Sequence, residues 1–135
     1  MIYNKNMIER STQYVVDIED YLKEKGHSSN VEILEYLQIK HPNISSTTIH
    51  RITARLVERG RLSLAPAATG NVMRFDANTD AHDHFLCTNC AMLRDTNVVD
   101  DIRPIIEQSI GDGCRISGNL VIMGICKKCN KELKI

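Results

Sequence analysis

Four of the five cysteines fall into two pairs, Cys87-Thr88-Asn89-Cys90 and Cys126-Lys127-Lys128-Cys129. Two thiolates at this spacing can grip one ion together, and two such pairs complete the ligand set of a tetrahedral zinc. Disulfides are not expected in a reducing cytosol, and a thiol redox centre would need one pair only. Between Cys90 and Cys126 lie 35 residues, more than the roughly 15 to 20 of a compact zinc ribbon. The intervening segment is therefore an insertion that carries a helix of its own. Cys114 has no partner at ligand spacing and reads as a small buried hydrophobe.

A second donor group precedes and follows the first pair: Asp76, then His82-Asp83-His84, then Asp95. In a strand, alternate side chains share a face, so His82 and His84 can meet one ion. In an arbitrary protein two such histidines are ordinary exposed polar residues. A neighbouring tetrathiolate changes that reading, because imidazole and carboxylate select a different class of ion from thiolate. One ion would be structural and the other exchangeable.

These donors must be positioned by surrounding elements. Apolar residues at Ile8, Tyr14, Val15, Ile18, Tyr21 and Leu22 predict a first helix over Met7 to Lys25, stopped by Gly26. Ser29 followed by Glu32 is a capping box opening a second helix, with Val31, Leu34 and Leu37 inward and an end before Pro42. Ser45 or Ser46 caps a third helix with a buried stripe of Ile49, Ile52, Leu56 and Val57, and Gly60 suits the position past its end. Leu62-Ser63-Leu64 and Val72-Met73-Arg74-Phe75 alternate as two strands around a Gly70-Asn71 turn.

The sum is a winged helix. Its third helix would enter the major groove of DNA with Thr48, Arg51 and Arg55 on the outward face. Winged helices that bind protein instead are also known, so the pattern leaves both open. The second half predicts a strand around His84 to Leu86, a helix around Val98 to Ile110 with Pro104 in its first turns, and a strand around Leu120 to Ile125. The fold class is α+β: a winged helix-turn-helix domain over 1–75 and a small α/β domain over 76–135, with a hinge near 76–81.

Bulk properties agree with a folded soluble chain. It has 135 residues, 42% hydrophobic and 25% charged, with no run apolar enough to span a membrane. The start, Met1-Ile2-Tyr3-Asn4-Lys5, lacks the apolar stretch of a signal peptide, so a cytoplasmic protein is expected. Net charge is zero, yet Arg51, Arg55, Arg59 and Arg61 stand against Glu58 alone. A phosphate-facing helix carries such a stripe, and so does a solvated one.

The run Ser46-Thr47-Thr48-Ile49-His50-Arg51-Ile52 through Leu56 and Gly60, the element His82-Asp83-His84-Phe85-Leu86-Cys87-Thr88-Asn89-Cys90, and Cys126 to Cys129 resemble the ferric uptake regulator family over roughly residues 10 to 130. The resemblance implies a repressor that binds double-stranded, pseudo-palindromic operator DNA as a homodimer, the second domain being the dimerisation domain. It implies a structural Zn2+ on Cys87, Cys90, Cys126 and Cys129. A regulatory Fe2+ or Mn2+ would sit at the hinge on His27, Asp76, His82, His84 and Asp95. Asp at both carboxylate positions resembles the peroxide-sensing members, in which His27 and His82 would be the residues oxidised.

Three positions depart from the pattern. His50, at a DNA-contact position, replaces a usual Tyr; Tyr14 replaces a usual Arg; and Gly118 replaces the histidine of an additional metal site, which is therefore expected to be absent. Within the family, an iron- or manganese-level sensor is the alternative. Outside it, a constitutive zinc-stapled winged-helix interaction module would bind no second metal. A metallohydrolase would need a general base and open coordination that the sequence does not offer, so no enzyme is expected.

Overall fold

The computed structural model describes residues 5–96 and 102–133, with backbone alone for 5–11, 69 and 133. The chain divides into two compact units, Met1–Thr79 and Asp80–Ile135. The division falls after Asp76 rather than before it, because Asp76 ends a strand hydrogen-bonded within the first unit. No helix among the described residues is long and apolar enough to cross a membrane.

The first unit runs α1 (Lys5–Lys25), β1 (His27–Ser29), α2 (Asn30–Lys40), α3 (Ser46–Glu58), β2 (Ser63–Ala68) and β3 (Val72–Asp76). Its sheet has the order β1-β3-β2, antiparallel throughout. The core joins Ile18, Tyr21 and Leu22 of α1 to Ile33 and Leu37 of α2 and to Ile49, Ile52 and Leu56 of α3, closed by Ile44, Leu62 and Phe75. Ile8 lies among the residues whose side chains are not described.

Local signals set the helix starts. Ser29 accepts from the Glu32 amide while Glu32 accepts from the Ser29 amide, the reciprocal capping box. Ser45 caps α3 through the Thr48 amide. The inward face of α2 differs from expectation: Ile33 and Leu37 are buried, Leu34 is half-buried and Val31 is exposed. The segment Val31-Glu32-Ile33-Leu34 offers two overlapping apolar stripes, and β1, which runs directly into the helix, fixes the rotation. The β2–β3 turn places both Gly70 (φ 77°) and Asn71 (φ 61°) at positive φ, which glycine and asparagine tolerate best.

The second unit contains β4 (Asp83–Cys87), β5 (Leu93–Thr96), α4 (Arg103–Ile110), β6 (Val121–Gly124) and α5 (Lys127–Leu133). β4 is central, antiparallel to β5 and parallel to β6. The described helix begins at Arg103 with Pro104 in its first turn; the expected stretch from Val98 to Asp101 lies outside the described residues. Three elements were not expected from sequence: β1, β5 and α5.

Candidate metal centres

The parallel β4–β6 pairing brings two chain ends together, with Cys87 beside Gly124. Cys87 closes β4, Cys90 lies in the turn after it, Cys126 follows β6 and Cys129 sits on α5. One sulfur from each converges within 4.8 Å of the others. Sulfurs about 2.3 Å from a shared tetrahedral centre stand about 3.8 Å apart, and Cys90 Sγ lies 3.8 Å from Cys126 Sγ. Ala91, at φ 64°, closes the first turn. A Cβ at Gly124 would stand 2.9 Å from the Phe85 ring, so any larger residue there would force that ring to move.

Donors surround the sulfurs. Cys87 Sγ accepts from the amides of Cys126 (3.4 Å) and Cys90 (3.5 Å), and Cys126 Sγ from the amide of Cys129 (3.5 Å). The Cys90 and Cys126 amides pull the Cys87 thiol down to about 6, against burial. The Asn89 amide donates to Cys129 Sγ at 3.2 Å, but burial and the crowding of Cys126, Cys90 and Cys87 prevail, and this thiol is pushed up to about 12. Without metal, protons therefore remain on the cluster at neutral pH. Cys114 is exposed, not buried as the sequence suggested; the tight turn at 111–113, with Gly111, Asp112 and Gly113 all at positive φ, carries it outward.

The imidazole and carboxylate donors form one set in each unit. In the first, His27 and Asp76 face each other across the β1–β3 ladder, with His27 Nε2 3.2 Å from Asp76 Oδ2. Asp76 is buried, and its Oδ1 accepts from the Asn78 amide at 2.8 Å. In the second, His84 on β4 pairs with Asp95 on β5. His82 Nε2 and His84 Nε2 lie 3.4 and 3.3 Å from Asp95 Oδ1, and the two rings are 4.4 Å apart. His82 Nδ1 stands 2.6 Å from the Asp80 carbonyl. That contact fixes the proton on Nδ1 and leaves the Nε2 lone pair for a metal.

On α3, His50, Arg51 and Arg55 are exposed. Thr48 is half-buried, with its hydroxyl 3.0 Å from that of the capping Ser45, so it is committed to the helix end. Asn30, at the start of α2, reaches His50 Nδ1 (3.3 Å) and accepts from the buried Thr53 hydroxyl (2.9 Å). Neither Asn30 nor Thr53 was singled out from sequence. A threonine inside an apolar stripe is the signal that would have found Thr53.

A winged helix joined to a thiolate-pinned unit bearing separate imidazole–carboxylate donors has the make-up of a metal-responsive DNA-binding regulator. The model of the ferric uptake regulator family matches residues 8–117, and the chain belongs to that family. The ferric uptake regulation protein of Bordetella parapertussis is 26% identical over 131 residues, covering 94% of each chain. The peroxide-responsive repressor PerR of Staphylococcus epidermidis is 28% identical over 109 residues, covering 79% of this chain and 71% of that one. The solved Helicobacter pylori ferric uptake regulator, described as having three functional metal-binding sites, superposes with a TM-score of 0.71 at 20% identity, covering 87% of this chain and 80% of its own. Family members are metal-responsive transcription regulators that bind operator DNA as dimers, not enzymes.

Proposed function

We propose that this chain is a repressor that reads peroxide through iron held by His27, Asp76, His82, His84 and Asp95, with a structural Zn2+ on Cys87, Cys90, Cys126 and Cys129. The observation that carries the reading is the donor chemistry of the two sets, three imidazoles and two aspartates, with one carboxylate against the histidines in each unit. Such a mixed nitrogen and oxygen set suits Fe2+ or Mn2+.

An ion taking both sets would tie the DNA-binding unit to the second unit. Shifting such an equilibrium from 1:99 to 99:1 requires about 5.5 kcal/mol of differential binding, within reach of five ligands. Ferrous iron held there would supply the electron that cleaves the peroxide O–O bond and would recover it from the oxidised ring, so that no electron is consumed overall. The ring of His27 or His82 would take one oxygen atom on carbon, and each peroxide consumed would leave one water. An oxidised ring is a poorer donor, so the first unit is released and DNA with it. Arg51 and Arg55 of α3, with His50 beside them, supply the groove contacts, and Thr48 holds the end of the helix that presents them.

The direct test is peptide mass spectrometry after peroxide treatment of anaerobically iron-loaded protein. One added oxygen on His27 or His82 is expected with iron and none with manganese. An unmodified peptide at full iron occupancy would return the reading to iron- or manganese-level sensing.

The homodimer has a surface available in the second unit. β6 is an edge strand whose Val121, Ile122 and Met123 are exposed, and Ile105 and Ile110 of α4 are exposed too. An uncovered apolar edge strand invites pairing with a second copy. Changing Ile122→Lys and Met123→Lys together should yield a monomer by light scattering that retains its zinc; an unchanged dimer would move the interface elsewhere.

A further inference from the structure

One ion pair of the second unit plays no part in the chemistry above. Asp83 lies between His82 and His84, so strand alternation turns its side chain to the opposite face of β4. It is 2% exposed. Its Oδ1 accepts from Arg103 Nη2 at 2.6 Å and from the Leu120 amide at 2.8 Å. The same guanidinium donates through Nη1 to the Gly118 carbonyl at 3.1 Å. Leu120 is held a second time, its carbonyl accepting from the His84 amide at 2.9 Å.

A buried carboxylate and a backbone carbonyl thus converge on one cation, and that cation belongs to the chain. Arg103 is the first residue of α4, while Gly118 and Leu120 lead into β6. The planar, permanently charged fork serves both oxygens at once, which a point charge on a flexible stem does not. With the fork removed, Asp83 would be a buried charge lacking its counter-ion, a strong drive for β4 to rearrange.

We propose that Arg103 is a positioning residue of the exchangeable-metal site: a resident cation that locks α4 and the start of β6 to Asp83, and so fixes the first residue of β4, on either side of which His82 and His84 present their Nε2 atoms. The proposal rests on the reading of His82, His84 and Asp95 as metal ligands. It implies that Asp83 and Gly118 take no metal of their own, since the guanidinium fills the place between them.

The test uses the full-length, zinc-loaded chain and Mn2+ as probe. Arg103→Gln should lower Mn2+ affinity by about 10- to 100-fold, the usual cost of losing a group that orients ligands. Zinc should stay at one ion per protomer, and amide exchange should quicken at His84 and Leu120. Asp83→Asn should fall closer to wild type, because its amide oxygen still accepts from both donors. If Arg103→Gln fails to fold, Arg103→Lys stands in; it neutralises Asp83 but cannot reach Gly118 as well, and an intermediate loss is expected. Wild-type Mn2+ affinity in the glutamine variant would overturn the proposal. So would a second Mn2+ in wild type that Asp83→Asn removes. If wild type binds no Mn2+, the ligand reading itself fails, and this is told apart because no variant is needed to see it.

Discussion

Protein carrying Cys90→Ser should purify without stoichiometric zinc, with its second unit unfolded and its dimer dissociated. The expectation follows from what the second unit lacks. Among the described residues, its buried hydrophobic cluster consists of Cys87, Cys126 and Cys129, with Phe85, Met92 and Ile125 packed partly against them. The described part of α4 buries no residue at all. Structural zinc contributes on the order of 10–16 kcal/mol of apparent binding energy, comparable to the roughly 5–15 kcal/mol by which whole domains are stable. Cys90 is the informative position because it is exposed: serine there opens no cavity, so the loss is that of the metal alone. Zinc analysis, light scattering and amide exchange along β4 and β6 provide the measurement. The first unit, with its own core, should melt separately and unchanged. A zinc-free, folded dimer would sink the idea. Because Cys87 sits at about 6 and Cys129 at about 12 in the metal-free cluster, zinc must displace protons to bind. Affinity should therefore rise with pH, and acid should release the metal.

The second large effect belongs to α3. Replacing Arg51 and Arg55 with Ala removes two exposed cations from each protomer of a DNA-bound dimer. At about 1–3 kcal/mol per groove contact, loss of the four contacts should lower operator affinity on the order of 1,000-fold or more. The slope of log affinity against log salt should flatten by about 4 if all the lost contacts are to phosphate. Zinc content and dimerisation should not move, since neither side chain is buried. Fluorescence anisotropy with a labelled operator at several salt concentrations reads both quantities. Unchanged affinity and slope would mean that another element enters the groove.

Much of this arrangement was legible in the sequence where the determinant is local. Ser29 with Glu32, Ser45 ahead of α3, and Gly70-Asn71 between two alternating runs act within a few residues, and the structure uses each as written. The two C-x-x-C pairs were legible for the same reason. What could not be read were features that exist only through distant pairing. β1 is three residues long, and its strand character comes from β3, some 45 residues away. β5, Leu93-Arg94-Asp95-Thr96, has no alternating pattern and is a strand because β4 lies beside it. The contact of His27 with Asp76 follows from that first pairing, so only family resemblance suggested it. Asp83, hidden inside a histidine motif, gave no sign of its bond to Arg103.

The shortness of β1 has a further consequence. Ser29 is both its last residue and the cap of α2, Asn30 begins that helix, and Asn30 holds Thr53 and His50 of α3. From His27 to Asn30 the backbone therefore works as a ruler with no slack. One residue inserted after His27 would turn its imidazole to the opposite side of the sheet or pull Ser29 off the helix end, and no loop lies between them to absorb the error. Point changes in this stretch are negotiable in chemistry; its length is not.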